Sequence, residues 1–89
     1  MIVCKRVLYS GRVQGVGFRY TTRHLAQGFP VSGHVRNLRT GQVEVQVEGE
    51  AEQVEAFLEV LGRQMASCIT DSAAQDEPPR GSQGFVIRY

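Results

Sequence analysis

The first half of this 89-residue chain contains no acidic side chain, because no Asp or Glu precedes Glu44. This absence excludes a dinucleotide-binding βαβ unit, which needs an acid about 20 residues after its glycine turn. Such a unit also has its glycines in the order Gly-x-Gly-x-x-Gly, and the glycines of residues 11–19 follow the reverse order. A nucleoside-triphosphate loop is excluded as well, since no Gly-Lys-Ser/Thr follows these glycines.

Cysteine and histidine are scarce. The two cysteines, Cys4 and Cys68, are too few and too far apart for a disulfide scaffold, although the sequence leaves a pairing between them open. We expect both to pack as small apolar groups. The two histidines provide no metal-ligand spacing such as His-x-x-x-His, and there is no Cys-x-x-Cys. The sequence therefore predicts neither a metal site nor a cofactor.

Long apolar runs are absent too. The apolar stretches are only a few residues long, and Lys5 and Arg6 interrupt the segment Met1–Tyr9. The chain thus shows neither the pattern of a membrane span nor that of a signal peptide. We expect residues 1–89 to form one soluble, cytoplasmic domain, and a monomer, because its strand edges carry charge.

The charges that are present are divided unevenly along the chain. Residues 1–43 carry seven basic side chains and a charge of +7, whereas residues 44–89 carry three basic and nine acidic ones and a charge of −6. With a net charge of only +1, the chain lacks the general basic excess of nucleic-acid or membrane-surface binders. A basic segment around a glycine-rich turn favours a small anionic ligand instead.

The glycine-rich turn, Gly11–Arg19, lies between an apolar strand and an amphipathic helix. Its glycines at 11, 15 and 17 permit positive φ, so successive N–H groups can converge on one point. The helix start that follows adds unpaired donors and a partial positive charge. Arg19 places a guanidinium there, and its planar fork matches phosphate oxygens. The turn therefore predicts an anion site.

Periodicity predicts five strands and two helices. The predicted strands are Val3–Tyr9, Val31–Leu38, Val43–Glu48, a segment within Ser67–Gln75, and Phe85–Tyr89. The first helix is predicted over residues 18–28, and the second begins near Glu50 and ends at Gly62. In the third strand three valines alternate with Glu44, Gln46 and Glu48, which predicts one apolar face.

This βαββαβ order, with a short extra C-terminal strand, predicts an α+β fold: a ferredoxin-like two-layer sandwich whose mixed sheet is covered by two helices. A right-handed crossover makes the first two strands parallel, with the third inserted between them. Their C-terminal ends then share one edge of the sheet, so Arg19 is expected near Asn37. An RNA-recognition sheet has the same order, but it needs exposed aromatics on a middle strand that here offers only Val, Glu and Gln.

At these residues the chain resembles the acylphosphatase family. The segment Gly11–Arg19 contains the family's first signature, Gly-x-Val-Gln-Gly-Val-x-Phe-Arg. Residues 33–37, Gly-His-Val-Arg-Asn, and the glycines and valine that follow are similar to its strand-turn-strand motif. Two positions depart from the pattern: His34 stands where a bulky aromatic is usual, and Thr40 where an acid often precedes the turn glycine. We expect His34 to replace an aromatic packing surface.

The resemblance implies a hydrolase that cleaves the carboxyl-phosphate bond of acyl phosphates to a carboxylate and inorganic phosphate, without metal. It implies two catalytic residues: Arg19, which binds the phosphoryl group, and Asn37, whose amide orients the attacking water. It implies substrate binding by Arg12, Val13, Gln14, Gly15, Val16, Gly17, Phe18 and Arg19. The implied partner is a small-molecule acyl phosphate, with no nucleic acid and no membrane.

Residue types alone favour plainer roles for some of these positions. Gln14 is expected to brace the loop through backbone hydrogen bonds, Phe18 to enter the core, and His24 to face solvent. Asn37 taken by itself would be a turn residue before a hairpin.

Two alternatives stay open at this point. A catalytically silent anion-binding or regulatory module on the same fold would keep the phosphate-binding loop but would not catalyse hydrolysis. An arginine at a helix start opposes the dipole by about 0.3–1 kcal/mol, so Arg19 requires an anionic partner. That partner is phosphate or, as a second hypothesis, the C-terminal carboxylate of Tyr89.

Overall fold

The computed structural model describes every residue from Met1 to Tyr89. Its elements follow in the order β1 (Ile2–Gly11), α1 (Phe18–Ala26), β2 (Ser32–Asn37), β3 (Val43–Glu50), α2 (Ala51–Gln64), β4 (Ile69–Glu77) and β5 (Phe85–Arg88). The five strands form one sheet in the order β4-β1-β3-β2-β5. The two helices pack on one face of this sheet. The predicted ferredoxin-like sandwich with its extra C-terminal strand is confirmed.

The strand directions bring three C-terminal ends to one edge of the sheet. The central strand, β3, is antiparallel to both β1 and β2. The strands β1 and β2 are therefore parallel to one another, as predicted. Tyr9 near the end of β1 and Asn37 at the end of β2 both pair with Val43. Because β5 is parallel to β2, Tyr89 also lies at this edge.

The core lies between the sheet and the helices and consists of one cluster of 13 buried residues. The predicted helix stripes are confirmed: α1 buries Phe18, Thr22 and Ala26, and α2 buries Val54, Phe57 and Leu61. Full burial of each large apolar side chain contributes about 1.5–3 kcal/mol. Packing against the sheet therefore stabilises both helices.

The element ends differ from the prediction by a few residues. The first helix ends at Ala26 rather than near Gly28, and the second continues past Gly62 to Gln64. Glycine inside a helix costs about 1 kcal/mol, but the buried Leu61 and Met65 hold the last turn of α2 against the sheet. The strand β4 extends to Glu77, two residues beyond the predicted segment, because it pairs with β1 as far as Cys4.

The polar face of β3 is buried, whereas its polar residues predicted a face exposed to solvent. Val43, Val45 and Val47 are buried as expected, but Glu44, Gln46 and Glu48 are buried as well. Loop residues 78–84 cover part of this face, and the N–H groups of Arg80 and Gly81 each donate to the Glu48 carboxylate at 2.8 Å. The alternation of valines and polar residues therefore marked two buried faces.

Glu44 is the centre of an ion-pair cluster on that face. The Nε atoms of Arg6 and Arg36 donate to its carboxylate at 2.6 and 2.7 Å, and His34 Nε2 lies 2.9 Å from Oε1. Burial by itself would raise the pKa of Glu44, but the hydrogen bonds from His34, Arg36 and Arg6 outweigh it and lower the pKa to about 2. His34 thus binds a carboxylate, which corrects the expectation of a purely packing role.

Neither cysteine forms a disulfide, and Cys4 is buried while Cys68 is partly exposed. The pairing that the sequence left open does not occur. Neither helix is long and apolar enough to cross a membrane. The expected cytoplasmic location stays a prediction.

Candidate active site

A cavity of about 190 Å³ lies at the sheet edge where β1 and β2 end. It is lined by Val13, Gly15, Gly17, Phe18, Arg19, Tyr20 and Asn37. Arg19 and Asn37 were predicted as a pair from separate segments of the chain, and the fold brings both into this lining. We call this space the anion cavity.

The loop beneath the anion cavity depends on two glycines. Val13 and Phe18 are buried and anchor its two ends. Between them Gly15 and Gly17 have φ angles of +76° and +79°, and no residue other than glycine has a positive φ in this protein. An L-residue in this conformation costs about 1–2 kcal/mol. The N–H groups of residues 15–17 donate to no other protein atom, so they are available to an anion.

The start of α1 adds further donors beside this loop. The helix begins at Phe18, its N-cap is Gly17, and it has neither a side-chain cap nor an acid in its first turn. The first helical hydrogen bond runs from the Thr21 N–H to the Gly17 carbonyl oxygen. The N–H groups of residues 18–20 therefore have no helical acceptor, and the helix end carries a partial positive charge. This is the arrangement that binds phosphate at helix termini.

Arg19 keeps its guanidinium donors free. Its side chain forms no hydrogen bond and no ion pair with the rest of the protein. Its Cζ lies 5.0 Å from the centroid of the Tyr89 ring, a cation–π contact that orients the guanidinium without occupying its N–H groups. The hypothesis that the terminal carboxylate of Tyr89 pairs with Arg19 is wrong, because the contact is made by the ring.

Asn37 carries an unusual atom. Its Oδ1 is buried without a hydrogen-bond partner, and it is the only buried side-chain polar atom of the protein in that state. Leaving a buried acceptor unpaired costs about 1–3 kcal/mol. Such a group in a native fold requires an explanation, and a functional one is available when the residue lines a cavity.

Gln14 braces the loop, as predicted. Its Nε2 donates to the carbonyl oxygens of Leu38 and Gln42, at 2.8 and 2.9 Å. Thr40, at the position where an acid is common, accepts a hydrogen bond from the Gln42 N–H at 3.3 Å and donates to its side chain. Its hydroxyl thus stabilises the β2–β3 turn in the way that an acidic side chain would.

Three residues predicted to bind substrate place no side chain in the lining of the anion cavity. The Arg12 N–H donates to the Cys68 carbonyl oxygen at 2.8 Å, so this amide is already paired. The Gln14 amide nitrogen is used in bracing, and Val16 is exposed. Gly11 belongs to β1, where it pairs with Ile69. The lining is therefore narrower than the predicted segment.

Other side chains stand as the sequence predicted, with one addition. Phe18 is buried and its ring centroid lies 5.2 Å from that of Tyr9. His24 is exposed on α1. Tyr20 lines the anion cavity and was not predicted. Its position directly after Arg19 in the first helical turn was the signal that could have indicated it.

Comparisons with known proteins agree on one family. Residues 5–87 match the family model described as Acylphosphatase. A relative named acylphosphatase from Haloarcula marismortui is 46% identical over 85 residues, with 93% of this chain and 92% of the relative covered. Another from Pseudomonas paraeruginosa is 41% identical over 87 residues, with 97% and 96% covered. The crystal structure of acylphosphatase from Bacillus subtilis superimposes with a TM-score of 0.86 at 30% identity over the whole of both chains.

Proposed function

This chain belongs to the acylphosphatase family and is an enzyme that hydrolyses acyl phosphates, and from that premise we propose which residues perform the reaction. Arg19 and the N–H groups of residues 15–19 hold the phosphoryl group, and Asn37 orients the attacking water. One observation carries the proposal: Arg19, whose guanidinium is free, and Asn37, whose side chain has no partner within the protein, line the same cavity.

Binding of the phosphoryl group follows from the donors around the anion cavity. The loop amides, the uncapped end of α1 and the Arg19 guanidinium all present N–H groups, and no acidic side chain lines the cavity. The charge of a phosphoryl group in the transition state is spread over its three equatorial oxygens. Donors that are already in position stabilise this charge without reorganisation, and each such donor is worth about 10²–10³ in rate.

Asn37 acts on the water. Its side-chain amide forms a hydrogen bond with the water and so directs a lone pair of the water oxygen toward phosphorus. The new bond forms between that oxygen and phosphorus, while the bond between phosphorus and the acyl oxygen breaks. The carboxylate leaves with the bonding electron pair, and a proton of the water passes to a phosphate oxygen of the substrate. A carboxylate is a good leaving group, so the step needs no general acid or base from the protein.

We extend the proposal to the metal requirement, the domain organisation and the oligomeric state of the protein. The positive charge of Arg19 and the helix end serves the reaction, so we propose that hydrolysis requires no metal. We also propose that residues 1–89 act as one acylphosphatase-like domain and as a monomer. The single apolar core supports the proposal of one domain. The edge strand β4 supports the proposal of a monomer, because it carries Asp71, Asp76 and Glu77. Charges on an edge strand discourage pairing with another chain.

The experiment measures hydrolysis of benzoyl phosphate by the purified chain in the presence of a chelator. We expect hydrolysis well above the spontaneous rate for the unaltered protein and a large loss in Arg19→Ala and Asn37→Ala, with circular dichroism confirming that both variants fold. Activity that appears only when a divalent cation is restored would contradict metal independence. Full activity in either variant would contradict that residue's proposed role.

A further inference from the structure

A second and larger cavity, of about 420 Å³, lies on the helix side of the sheet, between α2 and the strands β1 and β4. It is lined by Val7, Tyr9, Leu58, Gly62, Ala66, Ile69, Ser72 and Ala74. None of these residues lines the anion cavity. We call this space the apolar cavity.

Small residues create the apolar cavity. Two helices cover a five-stranded sheet, and the C-terminal part of α2 and the segment after it present Gly62 and Ala66 where larger side chains would reach β4. The facing positions of β4 are Ser72 and Ala74, which are small as well. The resulting volume lies within the range of about 300–1,000 Å³ that is usual for small-molecule pockets.

The apolar cavity is lined by a tyrosine, Tyr9, whose hydroxyl has no hydrogen-bond partner within the protein. Tyr9 is only 4% exposed, and its ring packs against Phe18. No side-chain hydrogen bond of the protein involves the Tyr9 hydroxyl, and its oxygen is not among the fully buried unpaired atoms, so it keeps some access to solvent. Burial raises the pKa of Tyr9 to about 12, so the hydroxyl stays protonated and able to donate. Ser72, directly opposite Tyr9 in the β1–β4 register, adds a second hydroxyl.

We propose that the apolar cavity is a binding site for a small, mainly apolar molecule that carries one hydrogen-bond-accepting oxygen, such as a ketone or an ester, with the Tyr9 hydroxyl as the donor. The apolar walls hold the body of the ligand, and the hydroxyl orients its oxygen. Charged molecules are poor ligands, because no charged side chain lines the cavity. The site is separate from the anion cavity, and its ligand binding does not depend on hydrolysis.

Acetophenone, which has one ring and one carbonyl oxygen, is the probe. It is titrated into the ¹⁵N-labelled full chain, and the amide resonances of Gly62, Ala66 and Ala74 are expected to shift. Toluene, which has no acceptor, serves as the matched probe. Tyr9→Phe keeps the ring and removes no hydrogen bond within the protein, so the fold is retained. It should weaken acetophenone binding by about three- to tenfold, as expected for one neutral hydrogen bond, and leave toluene binding unchanged.

Filling the space provides the second variant. A Cβ added at Gly62 meets no atom within 4 Å, and leucine is a better helix former than glycine. Gly62→Leu should therefore fold and lose the binding of both probes. Gln64→Leu, on the same helix but outside the lining, should retain it. Binding that survives Gly62→Leu, equal effects of Tyr9→Phe on the two probes, or competitive displacement of acetophenone by inorganic phosphate would each overturn the proposal.

Discussion

The side-chain nitrogen of Gln14 lies 2.8 Å from the carbonyl oxygen of Leu38, the residue that follows Asn37. The same nitrogen donates to the Gln42 carbonyl oxygen at 2.9 Å. One amide group therefore fastens the glycine-rich loop to the β2–β3 turn. Arg19 stands just after that loop and Asn37 just before that turn, so this link joins the two segments that carry the proposed catalytic side chains.

Gln14→Ala removes both hydrogen bonds. We expect the free energy of unfolding to fall by about 1–2 kcal/mol and kcat to fall by more than the affinity for inorganic phosphate, because the loop donors remain while the position of Asn37 relaxes. Urea denaturation, steady-state kinetics and phosphate titration measure the three quantities. Gln27→Ala, at an exposed position after α1, is the control and should change none of them. An unchanged kcat in Gln14→Ala would show that the link has no effect on catalysis.

Asn37→Ala should separate activity from stability. The Asn37 side chain forms no hydrogen bond within the protein and its Oδ1 is buried unpaired, so its removal costs no native contact of this kind. We expect kcat to fall about 100-fold, phosphate affinity to stay the same, and the free energy of unfolding to stay the same or rise by up to about 1 kcal/mol. A clear loss of stability would mean that Asn37 has a structural role instead.

Arg19→Lys tests whether the fork of the guanidinium matters beyond its charge. Lysine keeps the charge but cannot bind two phosphate oxygens in one plane, so we expect kcat/KM to fall by about 10²-fold. Arg23→Lys is the matched control, because Arg23 is one turn further along α1 and is exposed outside the cavity lining. Equal values of kcat/KM for Arg19→Lys and Arg23→Lys would exclude a specific role for the Arg19 guanidinium.

Gly17→Ala introduces a side chain at a φ of +79° where no atom lies within 4 Å. The cost is therefore backbone strain alone, about 1–2 kcal/mol, and the loop should shift its N–H groups and bind inorganic phosphate more weakly. Gly28→Ala is the control, since its Cβ would make an ordinary contact of 3.5 Å with the Leu25 carbonyl oxygen. Calorimetric phosphate titration of both variants provides the comparison. Unaltered phosphate affinity in a destabilised Gly17→Ala would contradict binding by the loop amides.

Glu44 should make the protein less stable in acid. Its pKa of about 2 in the folded protein lies below the ordinary value of 4.5, so its contribution is fully present above pH 4.5 and is lost as the pH falls toward 2. Glu44→Gln should lower the free energy of unfolding at pH 7 by about 2 kcal/mol. In this variant the free energy of unfolding should also fall less between pH 5 and pH 3 than it does in the unaltered protein. Urea denaturation across this range measures both effects. Glu59 forms an exposed pair with Arg63, so Glu59→Gln is the control and should leave the fall in the free energy of unfolding between pH 5 and pH 3 unchanged.

The errors of the sequence prediction have identifiable physical causes. Glycine at 62 indicated a helix end, but the buried Leu61 and Met65 keep α2 helical there. The acidic residues of β3 indicated a solvated face, yet arginine side chains and a loop from distant segments cover Glu44 and Glu48. The second hypothesis for the partner of Arg19 was the Tyr89 carboxylate, whereas the chain end after β5 places the Tyr89 ring under Arg19.

The sequence by itself determined the strand and helix order, the glycine turn, the free helix start, and the position of Arg19 and Asn37 at one edge of the sheet. Each of these depends on residue types within a few positions or on a strand order with few permitted topologies. Only the tertiary structure decided that Asn37 Oδ1 has no partner, that Glu44 is buried among cations, and that small residues leave an apolar cavity beside Tyr9. These features arise where segments far apart in the chain pack together. Burial, hydrogen bonding and cavity shape at such places are set by the register of the whole sheet, which local sequence does not encode.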